Sequence, residues 1–353
     1  MHEPPQSGSE PSQATCTTLH CTAVRSQGRG NVLHPGDPCP IPPMLVETFE
    51  LSCFIPSRLD GRALEAAVVL AGSGAPAGAA VVYVHPYPPL GGQLRNNVAQ
   101  ELSARLDRRV ALSVAFNLRG AGRSEGRTSW TGTAEQDDLR SVLDMLAAGR
   151  LLLHPRTHSA ADRRSLLARM RARGFLSHDV DELGAIPLPA VSRTLLCGFS
   201  YGAMLAASVA PAEYPQLGLD YALISFPYSV LWALALQRRG WYLQRLASTV
   251  CEAAAAGVGE QPASAHAPRL LFVAGTADNF TSIATYDRWW DQLRTKARQT
   301  LETAQPPVDP DTAQAAVSHT LHTARIANAD HGWLRRESDM ADAVISWWTP
   351  LQQ

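Results

Sequence analysis

The run Gly198-Phe199-Ser200-Tyr201-Gly202 sets a serine between a short apolar stretch, Thr194 to Cys197, and a series of small helix formers. A serine hydroxyl is a poor nucleophile until a base takes its proton and a carboxylate holds that base in one tautomer. The chain offers both downstream. The apolar run Leu270 to Ala274 leads into Gly275-Thr276-Ala277-Asp278, and Thr323 to Ala327 leads into Asn328-Ala329-Asp330-His331-Gly332-Trp333. An aspartate after a strand is usually a turn residue, and a lone loop histidine is usually solvated. A Gly-x-Ser-x-Gly pattern by itself occurs by chance in roughly one chain in ten of this length. What carries weight is the combination: Ser200, Asp278 and His331 each follow a strand-like run, in the order nucleophile, acid, base. The flanking glycines fit a sharp strand-to-helix turn, which strains the nucleophile's backbone and leaves no room for neighbouring side chains.

Acyl transfer also needs amide donors where charge develops on the carbonyl oxygen. The backbone N–H of Tyr201, next to the nucleophile, is one candidate. A second is expected after the run Ala80 to Val84, where the chain reads His85-Pro86-Tyr87-Pro88-Pro89-Leu90-Gly91-Gly92. Pro86 has no N–H, so Tyr87 is the candidate. His85 could be taken for the base, but its place after the first central strand favours orienting that loop. His85, Trp232, Trp241 and Trp333 are carried as candidates for a substrate pocket or its lid.

These residues require a scaffold of parallel strands. Phe49, Leu51, Cys53 and Ile55 alternate with polar residues, as in a strand with one wet face, and residues 64 to 70 suit its hairpin partner. Ala80 to Val84, Val110 to Phe116, Thr194 to Cys197, Tyr221 to Ser225, Leu270 to Ala274 and Thr323 to Ala327 are continuous apolar runs separated by helical or loop stretches. That rhythm predicts an α/β fold with a mostly parallel central sheet of about eight strands flanked by helices. Helices are expected over Asn97 to Leu106, Ala134 to Ala148, Tyr201 to Ala210, Ile283 to Arg298 and Asp339 to Trp348, the last capped by Ser338. Residues 1–43, rich in Pro, Ser, Gly and Gln, read as a disordered or loosely docked tail before a single domain over 44–353. Two insertions interrupt that domain. Residues 150–191 carry an arginine-rich amphipathic helix around Leu166, Leu167 and Met170, and 227–268 are apolar enough to form a lid or to pack as core.

The 353 residues carry a net charge of −1, with 45% hydrophobic and 18% charged residues. That composition suits a soluble globular chain and offers no overall electrostatic footprint for nucleic acid or an anionic membrane. No apolar run reaches a membrane span, and the N-terminus has neither the basic start nor the apolar core of a signal peptide. Six cysteines scattered along the chain do not suggest a disulfide framework, so a reducing, cytoplasmic setting is expected. A dinucleotide site at Gly120-Ala121-Gly122 fails because residue 125, where the third glycine belongs, is Glu125. The pairs His154/His158 and His319/His322 lack a companion general base or an obvious third ligand, so neither metal nor cofactor is expected.

With these motifs assembled, the chain resembles the α/β-hydrolase superfamily, in particular its small predicted-hydrolase branch with a His-Pro-x-Pro-x-x-Gly-Gly loop. The segment Phe116-Asn117-Leu118-Arg119-Gly120-Ala121-Gly122-Arg123-Ser124-Glu125-Gly126 matches that branch, as do the Gly198 to Gly202 elbow, the Gly275 to Asp278 turn and Ala329-Asp330-His331. Tyr87, the tail and the 150–191 insertion depart from it. The resemblance implies a serine hydrolase related to dienelactone-hydrolase-like and prolyl-peptidase-like enzymes. It does not imply a substrate; a carboxylic ester or thioester of modest size is favoured because the possible lid supplies Trp232, Trp241 and leucines but no obvious cluster of fixed charge. Peptidase, amidase and acyltransferase chemistry, or a non-catalytic binding protein on the same fold, remain alternatives, and the oligomeric state is open.

Overall fold

The computed structural model describes residues 46–72, 78–154, 158–176, 185–258 and 266–348. The expected N-terminal tail lies outside them. Thr48–Pro56 (β1) and Ala63–Ala71 (β2), whose side chains alternate between buried and more exposed positions, pair as an antiparallel hairpin. Gly78–Val84 (β3) is followed by Asn97–Leu106 (α1), whose N-cap Asn96 accepts a bond from the Ala99 N–H. Next come Leu112–Phe116 (β4) and Thr133–Ala147 (α2). The 150–191 insertion holds a two-strand ribbon, Arg150–Leu151 (β5) with Ile186–Pro187 (β6), around Ala160–Ala172 (α3). This helix buries Leu166, Leu167 and Met170 and leaves Arg164 and Arg169 in solvent.

The chain then enters Val191–Phe199 (β7), Tyr201–Ala206 (α4) and Leu219–Ile224 (β8). Leu231–Ala235 (α5) and Arg239–Ala256 (α6) lead to Leu270–Gly275 (β9). Ile283–Glu302 (α7), Pro310–Thr320 (α8), Leu321–Ile326 (β10) and Glu337–Trp348 (α9) complete the fold. The large sheet runs in the order β1-β2-β4-β3-β7-β8-β9-β10, and every pair from β4 to β10 is parallel. Parallel strands all end at one edge, so the segments after β3, β4, β7, β8, β9 and β10 gather there.

Helices cover both faces, and the two-residue period of each strand divides its side chains between them. In β3, Val81 and Tyr83 pack toward α1 and α9, while Ala80, Val82 and Val84 join the larger core that includes α2, α4, α6, α7 and α8. Helix α8 was not anticipated from sequence. Helix α6 packs against α7 and α8 as part of a layer, so this stretch of the 227–268 insertion is core. Ser338 lies inside α9 rather than capping it, and its hydroxyl accepts from Arg105.

The opposite edge is held by a buried carboxylate. Asp220, at the start of β8, accepts two bonds from Arg193 at 2.7 and 2.9 Å, one from the Arg269 backbone N–H at 3.0 Å and one from the Trp348 indole at 3.1 Å. His266 adds a 2.9 Å contact. Burial alone would raise the pKa of Asp220, but the bonds and charges of His266 and Arg193 outweigh it and hold the carboxyl below its usual range. The stabilisation is therefore present above the ordinary carboxylate pKa and is lost as pH falls through the lowered folded value. Asp220→Ala strands the arginine and indole donors, and denaturant unfolding at neutral pH should show a loss of about 3–5 kcal/mol.

Candidate active site

Between β7 and α4 the chain reverses within one residue. Ser200 has φ 54° and ψ −113°, a conformation an L-residue holds only when its surroundings impose it. They do so through close approach. A Cβ at Gly202 would lie 2.0 Å from the Val84 carbonyl oxygen, and one at Gly198 would lie 2.4 Å from the Gly202 carbonyl oxygen. Both positions must be glycine for α4 to begin directly against the end of β3.

The edge brings Ser200, Asp278 and His331 together. His331 Nε2 is 2.9 Å from Ser200 Oγ, and His331 Nδ1 is 3.0 Å from Asp278 Oδ2 and 3.2 Å from Oδ1. This network puts the proton of a neutral imidazole on Nδ1, donating to the carboxylate, and leaves Nε2 to accept from the serine hydroxyl. Asp278 Oδ1 also accepts from the Phe280 N–H at 2.8 Å and the Thr281 N–H at 3.0 Å. Burial would raise the Asp278 pKa, but the bond and charge of His331 and these two amides overcome it and keep the carboxyl below its usual range. The Phe280 ring lies over the imidazole, with centroids 4.1 Å apart and planes inclined by 31°.

The fold has solved counterparts. An esterase from Pyrococcus furiosus aligns with 87% of this chain and 92% of its own, at 12% identity and a TM-score of 0.51. Est1E from Butyrivibrio proteoclasticus, solved with ferulic acid bound, aligns over 84% of this chain and 98% of its own, at 11% identity and a TM-score of 0.50. This chain has the α/β-hydrolase fold. No protein-family model and no curated protein matches it.

Within this α/β-hydrolase fold, the loop after β3 is fastened from below. His85 is buried, with Nε2 accepting from the Leu118 N–H at 2.9 Å and Nδ1 2.6 Å from the Pro86 carbonyl oxygen. Both ring nitrogens are thus committed to backbone, and His85 orients the loop instead of lining a pocket. Asn117 accepts from the Leu94 N–H at 2.7 Å and donates to Glu65 at 2.8 Å, tying the loops after β3 and β4 to the hairpin. Arg119 grips buried Asp138 of α2 through Nε at 2.9 Å and Nη2 at 2.7 Å. Asn117 and Arg119 lay in the motif Phe116 to Gly126, but their partners lie too far along the chain for the motif to reveal them.

The loop so held ends in a tight turn. Tyr87 O accepts from the Leu90 and Gly92 N–H groups, and a Cβ at Gly92 would sit 1.9 Å from the Pro86 carbonyl oxygen. The Tyr87 ring meets the Tyr201 ring edge-on at 5.0 Å. The backbone N–H groups of Tyr87 and Tyr201 donate to no acceptor among the described residues. Trp333, expected at the pocket, is instead fully buried, its indole donating to Ser225 Oγ at 3.1 Å. Trp232 and Trp241 stand exposed on α5 and at the start of α6. Phe280 was missed, since an aromatic in a turn carries no signal of what it covers.

His85 makes the loop acid-sensitive. Burial drives its pKa down to about 4, only partly opposed by the Pro86 carbonyl, and the Leu118 N–H further disfavours a proton on Nε2. Between the ordinary histidine value of about 6.5 and the folded value, the unfolded chain binds the extra proton, so stability falls as pH falls. The wild type should lose about 2 kcal/mol between pH 7 and pH 5 through this group, a loss that chemical unfolding of His85→Gln should lack.

Proposed function

We propose that the chain is a serine hydrolase that works through an acyl-enzyme on a carboxylic ester or thioester of modest size. The supporting observation is the continuous hydrogen-bonded chain from Ser200 Oγ through His331 to Asp278, built on a strained elbow. In this reading Ser200 Oγ attacks the acyl carbonyl as its proton passes to His331 Nε2, and Asp278 stabilises the imidazolium. The carbonyl π electrons move onto oxygen, where the Tyr201 and Tyr87 amides would donate. Collapse expels the alcohol or thiol, which takes the proton from His331 and leaves the acyl group on Ser200. Water then enters, gives its proton to His331, and releases the acid as Ser200 regains its hydrogen.

One feature favours an ester or thioester over an amide: Phe280, Trp232 and Trp241 supply exposed apolar side chains on segments at this edge. Peptidase, amidase and acyltransferase activities share the acyl-enzyme, and a panel of chromogenic esters, thioesters and aminoacyl amides separates them.

Ser200→Ala should fold normally and lower kcat on a responsive ester by on the order of 10⁴-fold or more, and Asp278→Asn by on the order of 10⁴-fold, both read by steady-state kinetics. Retained turnover in Ser200→Ala would remove the nucleophile from this scheme.

The amide assignments have their own test. Tyr87→Phe keeps the backbone N–H and should change kcat little, whereas Tyr87→Pro deletes it and should cost about 10²- to 10³-fold. Equal damage from both would make the phenol the working group.

A further inference from the structure

Among the described residues, seven exposed large apolar side chains sit on the segments that follow β3, β4, β8, β9 and β10 at the carboxyl edge. Leu90 and Trp130 are 74% and 76% exposed on the loops after β3 and β4, and Trp232 is 64% exposed on α5. Leu236 and Trp241 follow Trp232, while Phe280 and Leu334 flank His331. Hydrogen bonds and ring contacts join these segments into one collar. The Ser229 N–H donates to Thr281 Oγ1 at 3.1 Å, beside Phe280. Arg238 donates to Thr133 at 2.9 Å and lies 4.5 Å over the Trp241 ring. The Tyr242 hydroxyl donates to the Thr131 carbonyl at 2.9 Å, next to Trp130.

The charge around the collar is one-sided. Residues 221–251 include Arg238, Arg239 and Arg245 and no Asp, Glu or Lys. Arg245 pairs with Glu252 at 3.1 Å. Arg127, Arg238, Arg239 and Arg335 have no carboxylate partner among the described residues, and the exposed acids on this edge include Glu125, Asp330 and Asp60, the last held by Arg62 and Arg119.

We propose that this collar is a docking surface for an anionic lipid–water interface, which would present amphiphilic esters to Ser200. The substrate class rests on the hydrolase reading above; the docking itself does not. Three observations favour a lipid surface over a second copy of the chain. The apolar groups are separate projecting tips, which a fluid interface accommodates and a rigid protein face would have to match one by one. Tryptophans interleaved with arginines suit the headgroup region, where an indole can sit half-wet and a guanidinium can meet phosphate. Arginines without a carboxylate partner complement negative headgroups. No helix among the described residues is long and apolar enough to cross a membrane, so the contact proposed is with the surface.

The test uses the full chain carrying Ser200→Ala, so that binding is measured without turnover. It should sediment with phosphatidylcholine vesicles containing phosphatidylserine, far less with phosphatidylcholine alone, and show a blue-shifted tryptophan emission when bound. Adding Trp130→Ser, Trp232→Ser and Leu236→Ser should weaken partitioning by about tenfold or more while leaving thermal unfolding unchanged, since these side chains bury little. Arg238→Gln with Arg239→Gln should weaken binding to the anionic vesicles and reduce its salt sensitivity, an arm that stands even if the first variant misfolds. Absence of binding to anionic vesicles, binding unaltered by both sets of substitutions, or a concentration-dependent dimer abolished by the same substitutions would overturn the proposal. Ester turnover is not the readout, so an inactive chain that binds would overturn the hydrolase reading alone.

Discussion

The site depends on one steric constraint, the contact between the start of α4 and the end of β3. With the Gly202 Cβ position only 2.0 Å from the Val84 carbonyl oxygen, α4 can begin there only without a side chain, and the backbone of Ser200 must take φ 54° to enter it. Strain of this kind costs on the order of 1–3 kcal/mol and persists only where the surroundings supply more. Here they do. Ser200 N–H donates to the Ile224 carbonyl oxygen at 2.8 Å, and α4 is buried along its length in the larger core. The loop of Tyr87 lies against the same turn, its ring meeting the Tyr201 ring edge-on at 5.0 Å.

The remaining parts are held by partners distant in sequence. His331 comes from the segment after β10 and Asp278 from that after β9, and their spacing follows from parallel register: Ile326 lies opposite Gly275. Behind them Trp333 fills the core and bonds Ser225, itself at φ 45°. The loop after β3 hangs on Leu118 and Asn117, and the loop after β4 on Asp138 of α2. Such buried polar links are costly if half-made and rigid when complete. The buried Asp220 cluster does equivalent work at the far edge, where β8 begins.

How much of this the sequence disclosed follows from the range of each signal. The strands announce themselves through apolar runs, and a serine between two glycines, an aspartate and a histidine at strand ends need only local reading. Their order along the chain then suggested that one edge unites them. Side-chain direction in a loop is different, because it is decided by what lies opposite. Trp333, two residues after His331, points into the core because Ser225 offers its indole an acceptor 108 positions away in sequence. His85 turns under its loop because Leu118 presents an N–H. Helix α6 hides among apolar residues that would serve a lid as well as a layer, and only packing against α7 and α8 decides between them.

Composition misleads in the same way when it is averaged. A net charge of −1 over 353 residues says that basic and acidic groups balance, but nothing about where they stand. In this chain many arginines are consumed internally: Arg119 on Asp138, Arg140 on Glu213 and Arg193 on Asp220. The carboxylates they use are thereby withdrawn from the outer surface too. The segment 221–251 has no carboxylate to withdraw, so half-buried Arg238 and exposed Arg239 keep their field beside exposed Trp232 and Trp241. A neutral total is therefore compatible with a local cationic and aromatic rim, and the rim lies at the edge where the parallel strands deliver Ser200, Asp278 and His331.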